Sequence, residues 1–323
     1  MNRFLSKVTL KAARVLRLDR AIPDEPYLKL MYKVQTGCDL DLDSPQTFNE
    51  KLNWLKLHDR NPLYTTLVDK YRVKQWVADR IGEQYVVPTL AFWESADEID
   101  ISGLPDRFVL KTNHDSGGVA ICRDKKSFDL EAARAKLDKS LRRNYFWQCR
   151  EWPYKDVKPL VFAEEYLDPT EEGCNLADYK LFRFSDVSEI VAAEPNDYKF
   201  LCFDGEPRLI EVHQGRSSRQ TQDFMWPDWT HADILQSDMP CALTAPERPS
   251  HLDEMLRQSA VLSEGFPHVR VDWYDFGPRP LFGEMTFYDG GGFDPFDRRE
   301  DDELLGSWIE IGSAHEEGKA ELR

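Results

Sequence analysis

The spacing of hydrophobic positions divides the chain into a helical first part and a strand-rich remainder. From Asp24 to about Arg80 apolar residues recur at helical intervals, with Tyr27, Leu30, Met31 and Val34 forming one stripe and Phe48, Leu52, Leu55 and Leu57 contributing to another. No strand run interrupts this region. Thr47, followed three residues on by Glu50, has capping-box chemistry and predicts a helix start near Phe48. The periodicity resumes through Val73, Trp76 and Val77, and Gly82 ends it. Tyr85–Leu90 then reads as the first strand.

Beyond that point the period shortens. Phe108-Val109-Leu110 predicts a buried strand ending in Lys111, and Val119-Ala120-Ile121-Cys122 its return. A charged helix is expected from about Leu130 to Arg143, and Pro159–Leu167 is a buried strand that turns acidic at Glu164 and Glu165. Asp178-Tyr179-Lys180-Leu181-Phe182 is echoed by Asp197-Tyr198-Lys199-Phe200-Leu201, which predicts adjacent antiparallel strands of one sheet; Asp204-Gly205 supplies a hairpin turn. An amphipathic helix runs from Ser250 to Gly265. In Val269–Tyr274 the residues alternate, placing Val269, Val271 and Trp273 on one face and Arg270, Asp272 and Tyr274 on the other. Leu281–Phe287 pairs with it and leaves Glu284 and Thr286 on one face.

Composition narrows the class. The 323 residues are 41% hydrophobic with nine tryptophans, enough for a packed core, and the net charge of -16 argues against nucleic acid as the main partner. Six scattered cysteines without a C-x-x-C pair suggest neither a disulfide framework nor a zinc motif and fit a reducing cytosol. No apolar run reaches the length of a membrane span. The first 23 residues differ: Arg3, Lys7, Lys11, Arg14, Arg17 and Arg20 alternate with Phe4, Leu5, Val8, Val15 and Leu16 as a basic amphipathic helix. Through residues 2–20 it either makes peripheral contact with the anionic inner face of a membrane or docks on the body with its cations in water.

Two stretches carry candidate chemistry. Between Lys111 and the returning strand lies Thr112-Asn113-His114-Asp115-Ser116-Gly117-Gly118, a glycine-bearing turn that is either an ordinary hairpin or a loop whose backbone N–H groups cradle phosphate beside a lysine. Asp272 and Glu284 are predicted to face each other on adjacent strands, where they repel unless a cation sits between them; Mg²⁺ is the oxygen-seeking ion that such carboxylates hold with substrate phosphates. Arg216 and Arg219 fall in a polar loop suited to an anion.

In order and spacing, Ser44-Pro45-Gln46-Thr47-Phe48-Asn49-Glu50-Lys51, Leu67-Val68-Asp69-Lys70-Tyr71, Phe108-Val109-Leu110-Lys111-Thr112-Asn113-His114, Glu164-Glu165-Tyr166-Leu167, an Asp-Tyr-Lys strand, Arg270-Val271-Asp272 and Gly283-Glu284-Met285-Thr286-Phe287 resemble the TupA-like branch of the ATP-grasp superfamily, found in teichuronopeptide and capsular polysaccharide clusters. The resemblance covers roughly residues 24–310. It implies an α+β fold in which two subdomains, 91–167 with the phosphate loop and 168–315 with the metal site, grip ATP. A mainly helical region, 24–90, precedes them, and 316–323 form a tail. Lys70 and Lys111 would contact the phosphates, His114, Ser116, Gly117 and Gly118 would form the covering loop, and Glu164 or Glu165 would lie at the adenine hinge. Asp178 is similar to the acid that holds the ribose, although Asp197 has the better following context. Asp272, Glu284 and, where many relatives carry Asn, Thr286 look like ligands for Mg²⁺, and Arg270 would face the transferring phosphate.

The implied reaction is an ATP-dependent carboxylate–amine ligation through an acyl phosphate. It would join an amino acid and a uronic acid or related glycan group, with Arg216 and Arg219 as carboxylate binders. A glycosyltransferase using Asp39-Leu40-Asp41 or Asp41-Leu42-Asp43 and a kinase that stops at phosphate transfer are the alternatives.

Overall fold

The chain is described by a computed structural model covering residues 14, 16–167, 179–182, 192–195, 197–214, 221–236, 239–277 and 279–311. Its first half opens on helices α1 (Asp24–Thr36), α2 (Phe48–His58), α3 (Leu63–Leu67) and α4 (Val73–Ile81). α1 buries Tyr27, Leu28, Met31, Tyr32 and Val34, while Leu30, expected on that stripe, is exposed. Gly37 ends it at φ 85°, a conformation glycine adopts without a Cβ penalty. α2 starts at the expected capping box: the Thr47 hydroxyl accepts from Glu50 N, and the Glu50 carboxylate accepts from Thr47 N.

Twelve strands follow among the described residues. β1 (Thr89–Trp93), β2 (Phe108–Thr112), β3 (Val119–Cys122) and β4 (Val161–Glu165) form an antiparallel sheet in the order β1-β4-β2-β3. The first strand begins later than Tyr85, because Glu83–Tyr85 is a tight 3₁₀ turn and Pro88 has no N–H for a ladder; its carbonyl instead accepts from Glu165 N at 3.1 Å. α5 (Leu130–Leu141) covers this sheet and packs Leu137 into a small core with Phe108, Leu110, Val161 and Ala163, and the short α6 (Phe146–Cys149) follows.

β5 (Tyr179–Phe182) and β6 (Ala192–Pro195) make a separate two-stranded pair. The second, larger sheet contains β7 (Asp197–Phe203), β8 (Glu206–Gln214), β9 (Thr221–Met225), β10 (His231–Ala232), β11 (Val269–Phe276) and β12 (Arg279–Thr286), in the order β10-β9-β8-β7-β11-β12. The two Asp-Tyr-Lys copies are therefore not neighbouring strands, contrary to the expectation from their echo. Asp204 and Gly205, at φ 46° and 80°, turn the second copy straight back onto β8, and its other edge is taken by β11. A shared sequence pattern gives both copies strand form but does not make them partners.

α7 (Leu252–Ser263) packs on β7, β8 and β11, where the buried Trp273 donates from Nε1 to Ser259 Oγ at 2.8 Å. α8 (Arg299–Ser307) packs on α2, and Gly306 fits there only without a side chain, since a Cβ would stand 2.2 Å from the Gln46 carbonyl oxygen. One large core joins residues of α2, α3, α4, α7 and α8 to the six-stranded sheet. Helices α2, α3 and α4 thus share their core with the large sheet, α1 packs a separate cluster with Leu40 and Phe293, and the small sheet keeps its own. No helix among the described residues is long and apolar enough to cross a membrane.

Candidate active site

A cavity of about 940 Å³ opens between the two sheets, lined from one side by β2, β3, β4 and α5 and from the other by Lys199, Asp272, Tyr274, Gly283 and Glu284. Its size suits a nucleotide-sized ligand. The charges within it follow from strand register. Glu211 on β8, Lys199 on β7, Asp272 on β11 and Glu284 on β12 are successive Cα partners, so four ionisable side chains stand in one row on one face of the sheet.

Asp272 and Glu284 do face each other, as the alternation predicted, and cations separate them. Lys199 Nζ lies 2.7 Å from Asp272 Oδ2. Arg270 donates from Nε to Asp272 Oδ1 at 2.7 Å, and its terminal nitrogen reaches Asp272 Oδ2 at 2.9 Å and Glu284 Oε1 at 3.5 Å. Lys70 Nζ lies 2.8 Å from Glu284 Oε2. Burial alone would raise the Glu284 carboxyl, but Lys70, Arg270 and Lys199 outweigh it and hold it far below the usual carboxylate range. Both acids are oxygen-only donors on adjacent strands, with the Thr286 hydroxyl on the same face 3.4 Å from Arg270. That donor set fits a hard divalent ion such as Mg²⁺.

Arg270 itself is not among the residues lining the cavity. Its guanidinium is anchored behind the carboxylates by Asp272 and by Asp289 Oδ1 at 2.5 Å. Burial disfavours its charge, yet Asp272, Asp289 and Glu211 more than compensate and raise its pKa.

Across the cavity, β2 delivers Lys111 to Glu164. The Glu164 carboxylate is paired with both Lys111 and Lys74, the latter at 2.5 Å. Burial opposes ionisation of Glu164, whereas the two lysines favour it and lower its pKa; Lys111 in turn is raised despite its own burial. Lys74 also donates to the Val87 carbonyl at 2.8 Å and Thr89 Oγ1 at 3.0 Å, so it ties α4 to the small sheet. Glu165 is exposed at the end of β4 and lines the same cavity with Tyr166 and Leu167.

Hydrogen bonds from two distant segments hold the loop after Lys111. Asn113 Nδ2 donates to Asp69 Oδ2 at 2.8 Å and to the Lys158 carbonyl at 3.0 Å, while its Oδ1 accepts from Leu160 N at 2.9 Å. Asp69 also accepts from Tyr71 N and Arg72 N, and Lys70 N donates to the Asn113 carbonyl at 2.9 Å. These bonds carry Lys70 to the loop, where its Nζ reaches the Asp115 carbonyl at 3.1 Å. Thr112, Asp115 and Ser140 close a buried hydroxyl–carboxylate network beneath it.

Ser116 and Gly117 line the cavity, and Gly117 needs its φ of 97°. His114 is turned away: its Nε2 lies 3.0 Å from the carbonyl of Arg143, just beyond α5, and its ring lines a different depression. Gly118 serves the loop from beneath, its carbonyl accepting from Thr112 N at 2.8 Å. A Cβ there would stand 1.9 Å from Thr112 Oγ1 and 2.4 Å from Ser140 Oγ. Gly118→Ala is therefore expected to cost about 1–3 kcal/mol of stability by overpacking, read as a lowered midpoint in urea unfolding.

Asp178, Arg216 and Arg219 lie outside the described residues. Of the two Asp-Tyr-Lys copies, the second places its lysine, Lys199, in the cavity. Lys199 has no sequence signal as a site residue beyond its alternation in phase with the strand it pairs, which only register converts into a contact with Asp272. The D-x-D candidates are elsewhere. Asp39 is an exposed partner of Lys33, and Asp41 accepts from Asp43 N and Ser44 N in a turn.

A profile of the TupA-like ATP-grasp family matches residues 50–194 and 186–310. No curated protein sequence matches the chain. Among solved structures, similarity is found to D-alanine–D-alanine ligase from Bacillus anthracis complexed with ATP, at 14% identity over 69% of this chain and 55% of that one, with a TM-score of 0.39. The ATP-grasp ligase PsnB complexed with minimal precursor gives 11% identity over 80% and 66%, and a TM-score of 0.40. D-alanine–D-alanine ligase from Helicobacter pylori gives 11% over 82% and 67%, also with a TM-score of 0.40. The chain spans little more than half the length of the first of these.

Proposed function

The chain belongs to the TupA-like ATP-grasp family, and on that premise we propose that it is an ATP-dependent carboxylate–amine ligase acting in the synthesis of a surface polysaccharide. The observation that carries this reading is the convergence of Lys70, Lys111 and Lys199 with the paired acids Asp272 and Glu284 on one cavity between two sheets. ATP would take the cleft, with its base against Glu165, Tyr166 and Leu167 and its phosphates toward the lysines and the Ser116–Gly117 turn. Asp272, Glu284 and Thr286 would hold Mg²⁺, which when bound neutralises charge on the phosphates and the leaving ADP. Arg270 would keep the two acids in register, and Lys199, freed from Asp272, would turn toward the transferring phosphoryl group.

In the proposed reaction a substrate carboxylate oxygen attacks the γ-phosphorus and ADP departs. The amine nitrogen of the second substrate then attacks the acyl carbon, phosphate leaves, and a proton is lost to give the amide. The chain needs no nucleophile of its own for this. An amino acid and a uronic acid or related glycan group are the substrates this family resemblance favours, with Arg216 and Arg219 as candidate binders of the carboxylate. The test is ADP release with amino acids offered against uronic-acid glycans. Magnesium-dependent ADP together with an amide product supports the reading; release of UDP or GDP, or a product that retains phosphate, overturns it.

A further inference from the structure

At the far edge of the large sheet, away from the nucleotide cavity, a carboxylate, an imidazole and a thiol converge. Asp223 comes from β9, His231 from β10 and Cys241 from the segment beyond, and one donor atom of each lies within 4.8 Å of the other two. The ladder explains the meeting of the first two. His231 is the Cα partner of Met225, so it shares a face with Asp223 two residues away. The third is placed by hydrogen bonds on either side of it: Gln222 N donates to the Pro240 carbonyl at 3.0 Å, and Ala242 N to Asp223 Oδ2 at 3.1 Å.

Asp223 is 1% exposed. Its ion-pair partner among the described residues is His231, with Nε2 3.2 Å from Oδ1. Cys241 is a half-buried free thiol beside the buried Asp223 carboxylate. A histidine–aspartate ion pair needs no thiol beside it, and no C-x-x-C spacing marks the place in the sequence.

We propose that Asp223, His231 and Cys241 form a zinc site that pins the two-residue edge strand β10 and the 239–242 segment to the sheet. Mixed oxygen, nitrogen and sulfur donors suit tetrahedral Zn²⁺, with water as the fourth ligand, whereas Mg²⁺ and Ca²⁺ do not seek thiolate. Binding exchanges the thiol proton for the metal, so Zn²⁺ enters as H⁺ leaves and affinity rises with pH. The site is separate from the acids Asp272 and Glu284, since β8 and β7 stand between β9 and their strands β11 and β12.

The test uses the full chain and cobalt(II) chloride as probe. Cobalt at Asp223, His231 and Cys241 gives a sulfur-to-cobalt charge-transfer band in the near ultraviolet that stoichiometric zinc chloride abolishes; cobalt on the oxygen donors of the nucleotide site gives no such band. Cys241→Ser is expected to lose the band outright. His231→Asn is expected to weaken cobalt binding by more than the roughly 10–100-fold that loss of an outer-shell partner costs. Cys38→Ser, altering an exposed cysteine elsewhere, keeps it. A circular dichroism spectrum unchanged in each variant shows that the fold is retained. Wild-type protein without the band, or Cys241→Ser with it, overturns the proposal.

Discussion

Changing Asp272 to Asn together with Glu284 to Gln is expected to lower magnesium-dependent ADP formation by at least about 10³-fold while leaving a folded protein. The two carboxylates are the oxygen donors that face each other across β11 and β12, and their charge is held in place by Lys199, Arg270 and Lys70. An amide keeps the size of the acid and can still accept hydrogen bonds from these cations, so packing survives. It cannot supply the charge that holds a divalent ion against phosphate. Steady-state ADP release and a far-ultraviolet circular dichroism spectrum, measured on the same preparation, check both halves of the statement. Full activity in the double variant would refute the assignment of the acids.

Lys111→Met is expected to reduce ADP formation by about 10²–10³-fold, because it removes a cation from where phosphate charge would develop. It also leaves Glu164, 5% exposed, with Lys74 as its remaining lysine partner, at a cost on the order of 1–3 kcal/mol. The pH dependence carries the same signature. The folded-state pKa of Glu164 is depressed, so its stabilising contribution is fully present above the ordinary glutamate value and is lost as pH falls through the lower folded value. Lys111→Met should flatten that acid-side slope in urea-unfolding midpoints. Adding Glu164→Gln should recover much of the lost stability and none of the activity; recovery of both would show that Lys111 serves only to neutralise Glu164.

Local periodicity made several parts of this architecture legible. The alternation of Val269–Tyr274 told which face Asp272 would take, the Thr47–Glu50 spacing located the start of α2, and the apolar runs on either side of Thr112–Gly118 announced the β2–β3 hairpin. What escaped depends on long-range pairing. The Asp-Tyr-Lys echo could not reveal that one copy lies between β8 and β11 while the other pairs with β6, since both patterns alternate alike. Pro88, lacking an N–H, delayed β1 past the point where apolar content began. The sequence assigned His114 to the loop over the phosphates, but not the 3.0 Å contact of its Nε2 with the Arg143 carbonyl, which lies far away in sequence. Asn113 and Asp69 occur in separate motifs, and only the fold shows that one binds the other and so brings Lys70 to the cavity. Asp223, His231 and Cys241 lie at no recognised metal-ligand spacing, and the sheet edge alone assembles them.

The ligase reading turns on whether the carboxylate takes phosphate before the amine arrives, and oxygen isotope transfer measures this directly. The carboxylate substrate that supports ADP release is labelled with ¹⁸O in its carboxyl group, and the inorganic phosphate formed in a complete reaction is analysed by mass spectrometry. An acyl-phosphate path leaves one labelled oxygen from the carboxylate in that phosphate. Phosphate free of label, with ADP and amide still produced, would contradict the account.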